Sequence, residues 1–355
     1  MWWFILIPFL WVATTKIIWH NKVSWKECAL HLGTVVPITA LIFTISYYGA
    51  IGDSLILHGY ITEKVRDNDS HLESYECRCR TVTSGSGDNK TTSTVCDTCW
   101  RRIYTVDWYL KSTLGNIPID SVSSRSKSVW GTPDPIAYTN AYVGEPCSKT
   151  QYFKNYVKAS SSSLFNSGNY AVNNTSPVPP YPEVHSIYKV DNMLKVGVNL
   201  DTTDLENSLS DKLKVLGAKK QANIILILTN TKDKNYRYAV EKEWLGGKKN
   251  DIVVILGLDG ENIIWVDGFT FGLSQGNHLM LTQMFDELRG KDVKLDNVVD
   301  IVTQHVDKNF VRKQMKDFEY LTRELQPSLS LLIFVSVLQL IANVGITIWS
   351  IKNEL

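Results

Sequence analysis

Three linked runs decide how this chain folds: Gln221-Ala222-Asn223-Ile224-Ile225-Leu226-Ile227-Leu228-Thr229, then Trp244-Leu245-Gly246-Gly247-Lys248-Lys249-Asn250-Asp251, then Ile252-Val253-Val254-Ile255-Leu256-Gly257-Leu258-Asp259-Gly260. The first and third are apolar and β-branched at successive positions, the pattern of strands covered on both faces. Between them, 235–245 reads as a helix with Tyr236, Val240 and Trp244 on one face and Gly246-Gly247 as its stop. Asp259-Gly260 is a two-residue turn signal into a further strand over 262–268. Counting back from that turn pairs Leu256 with Ile263, Val254 with Trp265 and Ile252 with Asp267. Asp251 and Asp267 are then expected at the same end of the sheet.

Working outward, residues 183–325 alternate strand and helix patterns, the mark of an α/β layer domain. A strand is expected over 183–190. An amphipathic helix over 201–216 carries Leu205, Leu209, Leu213 and Leu216 on one face, with Thr203 and Glu206 as a capping box and Gly217 as its stop. A helix over 275–288 is expected to bury Leu279, Met280, Phe285 and Leu288. One long helix over 295–325 would run toward Pro327 and the membrane.

The quoted runs, together with Asp259 and the stretch from Gly268 to Gly272, resemble the TPM domain family. That family includes thylakoid-lumen proteins linked to photosystem II repair, an accessory subunit of a nematode acetylcholine receptor, and many bacterial membrane-tethered proteins. The resemblance spans 183–318, a little over a third of the chain. It implies a TPM-like α/β/α sandwich held outside the cytoplasm. Some relatives are credited with acid phosphatase activity and with calcium binding at the acids of this motif. On that basis Asp251, Asp267 and Asp259 are the candidate ligands of a calcium-like ion. The family's acidic doublet corresponds here to Asn250-Asp251, so one carboxylate is missing. Ile252 stands where the family has a small residue, and Glu261-Asn262 where it has a basic one.

Three apolar segments, 2–19, 30–51 and 329–349, are expected as transmembrane helices, each near the roughly 20 residues a crossing needs. Lys16, Lys22 and Lys26 outnumber Glu27 around the first loop, which places that loop in the cytoplasm. Residues 52–326 are then extracytoplasmic and the C-terminus cytoplasmic.

Residues 53–180 form a β-rich accessory region ending in a polar, proline-rich linker. Two strands, 75–80 and 91–104, flank a flexible tip at 84–89 and bring Cys77 and Cys79 against Cys96 and Cys99. Four converging sulfurs suit two disulfides on an oxidising side, or one tetrahedral zinc. Cys147 has no evident partner. His71, His185, His278 and His305 are isolated histidines on polar surroundings.

With 37 basic and 36 acidic residues, the chain lacks the basic surplus of a nucleic-acid binder. No catalytic nucleophile stands in the quoted motif. The expected function is a membrane-tethered, extracytoplasmic binding, assembly or accessory module with a membrane or membrane-proximal protein partner. Metal-dependent hydrolysis of phosphate esters is the alternative.

Overall fold

The structure, a computed structural model, describes residues 3–18, 24–84, 91–160, 163, 176–271, 275–294 and 297–352. Lys22, the hairpin tip at 85–89, linker residues 164–175, Gly272, Leu295 and the tail 353–355 lie outside the described residues. The chain opens with helices α1 (Trp3–Ile18) and α2 (Trp25–Ile51) and passes directly into strand β1 (Gly52–Ser84). There follow β2 (Thr91–Ser112), β3 (Gly115–Ser124), α3 (Ile136–Asn140), β4 (Pro146–Lys154) and α4 (Tyr156–Ala159). Beyond the linker come β5 (Val184–His185), β6 (Lys189–Val190), β7 (Met193–Val196), α5 (Thr203–Lys220), β8 (Asn223–Thr229) and α6 (Tyr236–Glu243). The last part holds β9 (Asp251–Asp259), β10 (Asn262–Thr270), α7 (Gln275–Leu288), α8 (Val298–Asn309), a 3-10 helix (Met315–Glu324) and α9 (Leu329–Lys352).

The fold is mixed α/β. Strands β7, β8 and β9 run parallel and β10 returns antiparallel, in the order β10-β9-β8-β7. Every residue of β8 is buried, because helices cover both faces. Leu209, Leu213 and Leu216 of α5 join Met280, Met284 and Leu288 of α7 and Val302 and Val306 of α8 against Ile224, Leu226, Ile252 and Val254. On the other face, Tyr236, Val240 and Trp244 pack on Ile225, Ile227, Val253 and Ile255. Leu279 is 57% exposed; the buried stripe of α7 is Met280, Met284 and Leu288, at i, i+4 and i+8.

The β9–β10 register departs from the expected one in two places, the turn and a bulge, which together shift Asp267 by three residues, from Ile252 to Ile255. Asp259 still pairs, with Asn262, so the two-residue turn is Gly260-Glu261, with Gly260 at φ 65°. Ile264 is then an extra residue, since Ile263 pairs with Leu258 and Trp265 with Gly257. The bulge sends Ile263 to the α5 face and Trp265 to the α6 face, which unbroken alternation would forbid. Turn and bulge together leave Asp267 facing Ile255 and Thr270 facing Ile252.

Strand β1 lies centrally in a second, antiparallel sheet of order β3-β2-β1-β4. This sheet has a thin core of Ile61, Leu110, Ile117, Ala141, Cys147 and Tyr188. The two sheets are not separate units, because α5 is sandwiched between them. Gly217 does not stop α5, which continues to Lys220 and ends with Gln221 in the left-handed region. Gly217 is instead a close-approach position, where a Cβ would overlap the carbonyl oxygen of His58. The helix cap is Thr202, whose hydroxyl bonds Glu206 at 2.5 Å.

Two further expectations change. The strand over 183–190 is broken into the hairpin β5–β6 by Ser186 and Ile187, both at positive φ. The long helix over 295–325 stops at Asn309, because Phe310 turns into the core and Asn277 takes both backbone groups of Val311, each at 3.0 Å.

Among the described residues two helices, α2 and α9, are long and apolar enough to cross a membrane, rather than the three expected. Helix α1 has 16 residues, spanning about 24 Å at about 1.5 Å per residue, short of a hydrocarbon core of about 30 Å. It packs beside the other two, with Trp11 Nε1 donating to Thr347 Oγ1 at 3.4 Å. Between α2 and α9 a polar seam is buried: His31 Nδ1 meets Asn343 Oδ1 at 2.8 Å, and Gln339 Nε2 donates to Thr39 Oγ1 at 2.8 Å.

Alanine is the better helix former than glycine by roughly 1 kcal/mol, so propensity alone would make Gly217→Ala stabilising. The contact with His58 reverses the sign. Gly217→Ala is expected to lower the unfolding free energy of the detergent-solubilised chain by about 1–3 kcal/mol in chemical denaturation. An unchanged or raised value would refute the close approach.

Candidate functional site

Asn223 opens β8, the strand buried from both sides, and its side chain must find partners in the interior. Its Nδ2 donates to Asp251 Oδ1 at 2.9 Å and to the Tyr181 hydroxyl at 3.3 Å. Its Oδ1 is therefore the acceptor for two donors, Asn192 Nδ2 and His58 Nε2, both at 2.7 Å. That assignment protonates His58 on Nε2 and leaves Nδ1 to accept from the Ser148 hydroxyl at 3.0 Å. A directed chain thus runs Ser148, His58, Asn223, Asp251. It crosses from β4 and β1 of one sheet to β8 and β9 of the other.

Asp251 terminates the chain and is 1% exposed. Its oxygens accept from Tyr181 at 3.0 and 2.9 Å, from Asn223, and from the Lys248 backbone N–H at 2.7 Å. Burial pushes its carboxyl up to about 6, while those donors pull the other way. Burial pushes His58 down to about 4, so the imidazole is neutral near pH 7. Next to the chain, Lys248 Nζ reaches Asp53 of β1 at 2.6 Å, and Asn250 Nδ2 donates to the Ile56 carbonyl at 2.7 Å. An aspartate at 250 would set acceptor against acceptor there.

Tyr181 arrives from the expected linker. Its described part, 176–182, is a strap docked on the α6 face: Tyr236 donates to the Pro177 carbonyl at 2.8 Å and Trp244 Nε1 to that of Pro179 at 3.0 Å. On the other side of the chain, His58, Ser148, Glu145, Lys189, Asp191 and Lys214 line a cleft of about 380 Å³. Ser148 beside a base oriented by an amide has the outline of an activated nucleophile. A histidine held near 4 is a weak base, and Ser148 is itself 5% exposed. The chain acts as a set of mutually satisfied dipoles joining two sheets.

The three aspartates read from sequence do not meet. Asp267 lies four register positions from the Asp251 end, about 13 Å at about 3.3 Å per residue, and Asp259 lies eight positions away, about 26 Å. Asp267 is engaged by the Gly268 N–H at 2.7 Å and stands 3.9 Å from Arg237 Nε. With the carboxylates dispersed and both Asp251 oxygens already bonded, these residues do not fit a calcium ion.

The cysteines pair as their positions imply, Cys77 with Cys99 and Cys79 with Cys96. Glu76 lies beside the second pair, but sulfurs joined as disulfides are not thiolates and do not fit zinc. Cys28 and Cys147 are free and buried; burial pushes the Cys147 thiol up to about 11.

Sequence reading missed His58, Ser148 and Asn223. Only the unusual polar residue at the head of an otherwise apolar strand could have pointed to Asn223. His31 and Thr39, eight residues apart, and Gln339 and Asn343, four apart, were legible as polar pairs each on one face of an apolar helix.

The structure defines the class: a mixed α/β protein with a disulfide-stapled sheet and two helices suited to a membrane. Searches against known protein families, characterised proteins and solved structures return no match.

The two titrating ends of the chain carry opposite signs. His58 takes its proton near 6.5 unfolded but near 4 folded, so its contribution falls as pH drops through that window. Asp251 is protonated near 6 folded against 3.8 unfolded, so its contribution is full below 3.8 and lost as pH rises through 6. Asp251→Asn removes the second effect. Relative to the parent chain, the variant is expected to lose on the order of 3 kcal/mol of stability between pH 6.5 and 4. Urea unfolding at a series of pH values checks this, and parallel profiles would sink the assignment. Alkylation of the denatured, unreduced chain is expected to label Cys28 and Cys147 only.

Proposed function

We propose that this chain is a membrane-tethered, TPM-like protein that acts without catalysis, binding or assembling partner proteins at the extracytoplasmic membrane surface. The observation that carries this reading is the arm formed by β1 and β2. Beyond the Ser70–Tyr104 pair, β3 has ended and the ribbon is two-stranded out to Ser84 and Thr91, roughly 45 Å at about 3.3 Å per residue. An isolated two-stranded ribbon is marginal in water. Its two disulfides hold it where no core does.

The arm presents apolar side chains to solvent. Leu72 pairs with Arg102 and Ser74 with Trp100, which places Leu72 and Trp100 diagonally on one face, 55% and 65% exposed. A rigid tryptophan beside a leucine on a stapled strand pair is suited to anchor a protein interface.

Membrane attachment is supported by α2 and α9, whose ends at Ile51 and Leu329 flank the sheet-bearing region. The lysine-rich first loop and the disulfides both favour residues 52–326 on the oxidising side. Kinship with the TPM family is supported by the parallel strands, the antiparallel return and the helices on both faces. The phosphatase reading needs carboxylates gathered on one ion, and Asp251, Asp259 and Asp267 are spread along two strands.

A photo-crosslinking residue in place of Thr98, which pairs with Glu76 on the Trp100 face, tests the arm in native membranes. One discrete adduct is expected, lost when Leu72→Ser and Trp100→Ser are combined. No adduct, or one indifferent to those substitutions, would overturn the reading.

A further inference from the structure

Two cations meet at the head of the parallel sheet with no carboxylate between them. Asn223 pairs with Asp251 in the β8–β9 register, so Gln221 and Lys249, each two positions earlier, lie at the same end of the sheet. Arg312, two residues past Phe310 at the close of α8, reaches that end and donates from Nη1 to Gln221 Oε1. Burial, and after it the nearby Arg312 charge, weaken the hold of Lys249 on its proton.

Neither cation is neutralised. Lys249 Nζ lies over the Phe153 ring, 4.9 Å from its centre, and has no carboxylate in reach among the described residues. Arg312 Nε is shut off from water without an acceptor, and Nη2 has no partner among the described residues. The lysines alongside differ. Lys219 is paired with Asp307 and Lys248 with Asp53, both at 2.6 Å, and Lys220 donates to the Phe310 carbonyl at 3.3 Å. Two like charges, both partly withdrawn from water, destabilise one another unless an anion joins them.

We propose that Lys249 and Arg312 hold a phosphate group, Lys249 as a point charge and Arg312 through the Nη2 side of its fork. A planar guanidinium beside an ammonium is the pairing that phosphate oxygens accept most readily. Phe153 pairs with Asp53, two residues past the end of α2 at Ile51. On the membrane reading above the site therefore faces the bilayer surface, where a lipid headgroup supplies the phosphate. The site itself does not rest on that reading, and a soluble phosphate offers the same oxygens.

Thermal unfolding of the full chain in nonionic detergent tests the site. The probes are sodium phosphate against sodium chloride at matched ionic strength, and phosphatidylglycerol against diacylglycerol of the same acyl chains. A ligand held by the folded chain raises the midpoint with concentration. A saturable rise with phosphatidylglycerol alone supports the site with a headgroup as ligand, and a rise with sodium phosphate supports it with a soluble one. Lys249→Gln and Arg312→Gln are each expected to weaken half-saturation roughly tenfold. Lys242→Gln, which removes an exposed charge on α6, is expected to leave it unchanged. The site is overturned if neither probe gives a saturable rise, if either site variant retains it in full, or if Lys242→Gln weakens it equally.

Discussion

The carboxamide of Asn223 stands at the head of a strand that has no contact with water, and the rest of the molecule is arranged to satisfy it. Four neighbours do so: His58, Asn192, Asp251 and Tyr181. Each unmade bond in such a site costs about 1–3 kcal/mol, so the partners cannot drift independently. They come from β1, the residue before β7, β9 and the strap ahead of β5. One side chain therefore ties the antiparallel sheet, the parallel sheet and the connecting segment together.

Around that point the two sheets are stabilised by different means. The parallel sheet buries apolar side chains on both faces, the dominant favourable term in folding. The antiparallel sheet has few core residues and leans on α5 near Gly217, on the Lys248–Asp53 pair and, further out, on covalent bonds. Where β3 ends, burial ends with it, and the disulfides take over. This division explains how a ribbon with exposed Trp100 and Leu72 keeps its shape.

The membrane-suited helices show a related economy. Lipid tails are as apolar as leucine, so helices gain little from apolar contact alone. The seam of His31, Thr39, Gln339, Asn343 and Thr347 supplies hydrogen bonds that lipid cannot. It also gives the short α1 a polar foothold through Trp11.

Sequence by itself pointed to the α/β layering of the quoted stretch, because short β-branched apolar runs bounded by turn signals suit strands covered on both faces. It also brought the four sulfurs of the hairpin together, but left two disulfides or one zinc open until the structure joined Cys77 to Cys99 and Cys79 to Cys96. What it left undecided depends on long-range register and on contacts between distant segments. The shifted turn and the bulge at Ile264 together separate Asp267 from Asp251, and nothing local in 259–265 announces them. Gly217 reads as a helix stop until His58 is placed beside it. Asn223 reads as the edge of a strand until four partners, from 31 to 165 residues away in all but one case, converge on it. Such sites are decided by tertiary structure, because the cost of an unsatisfied buried polar group exists only once the interior has formed.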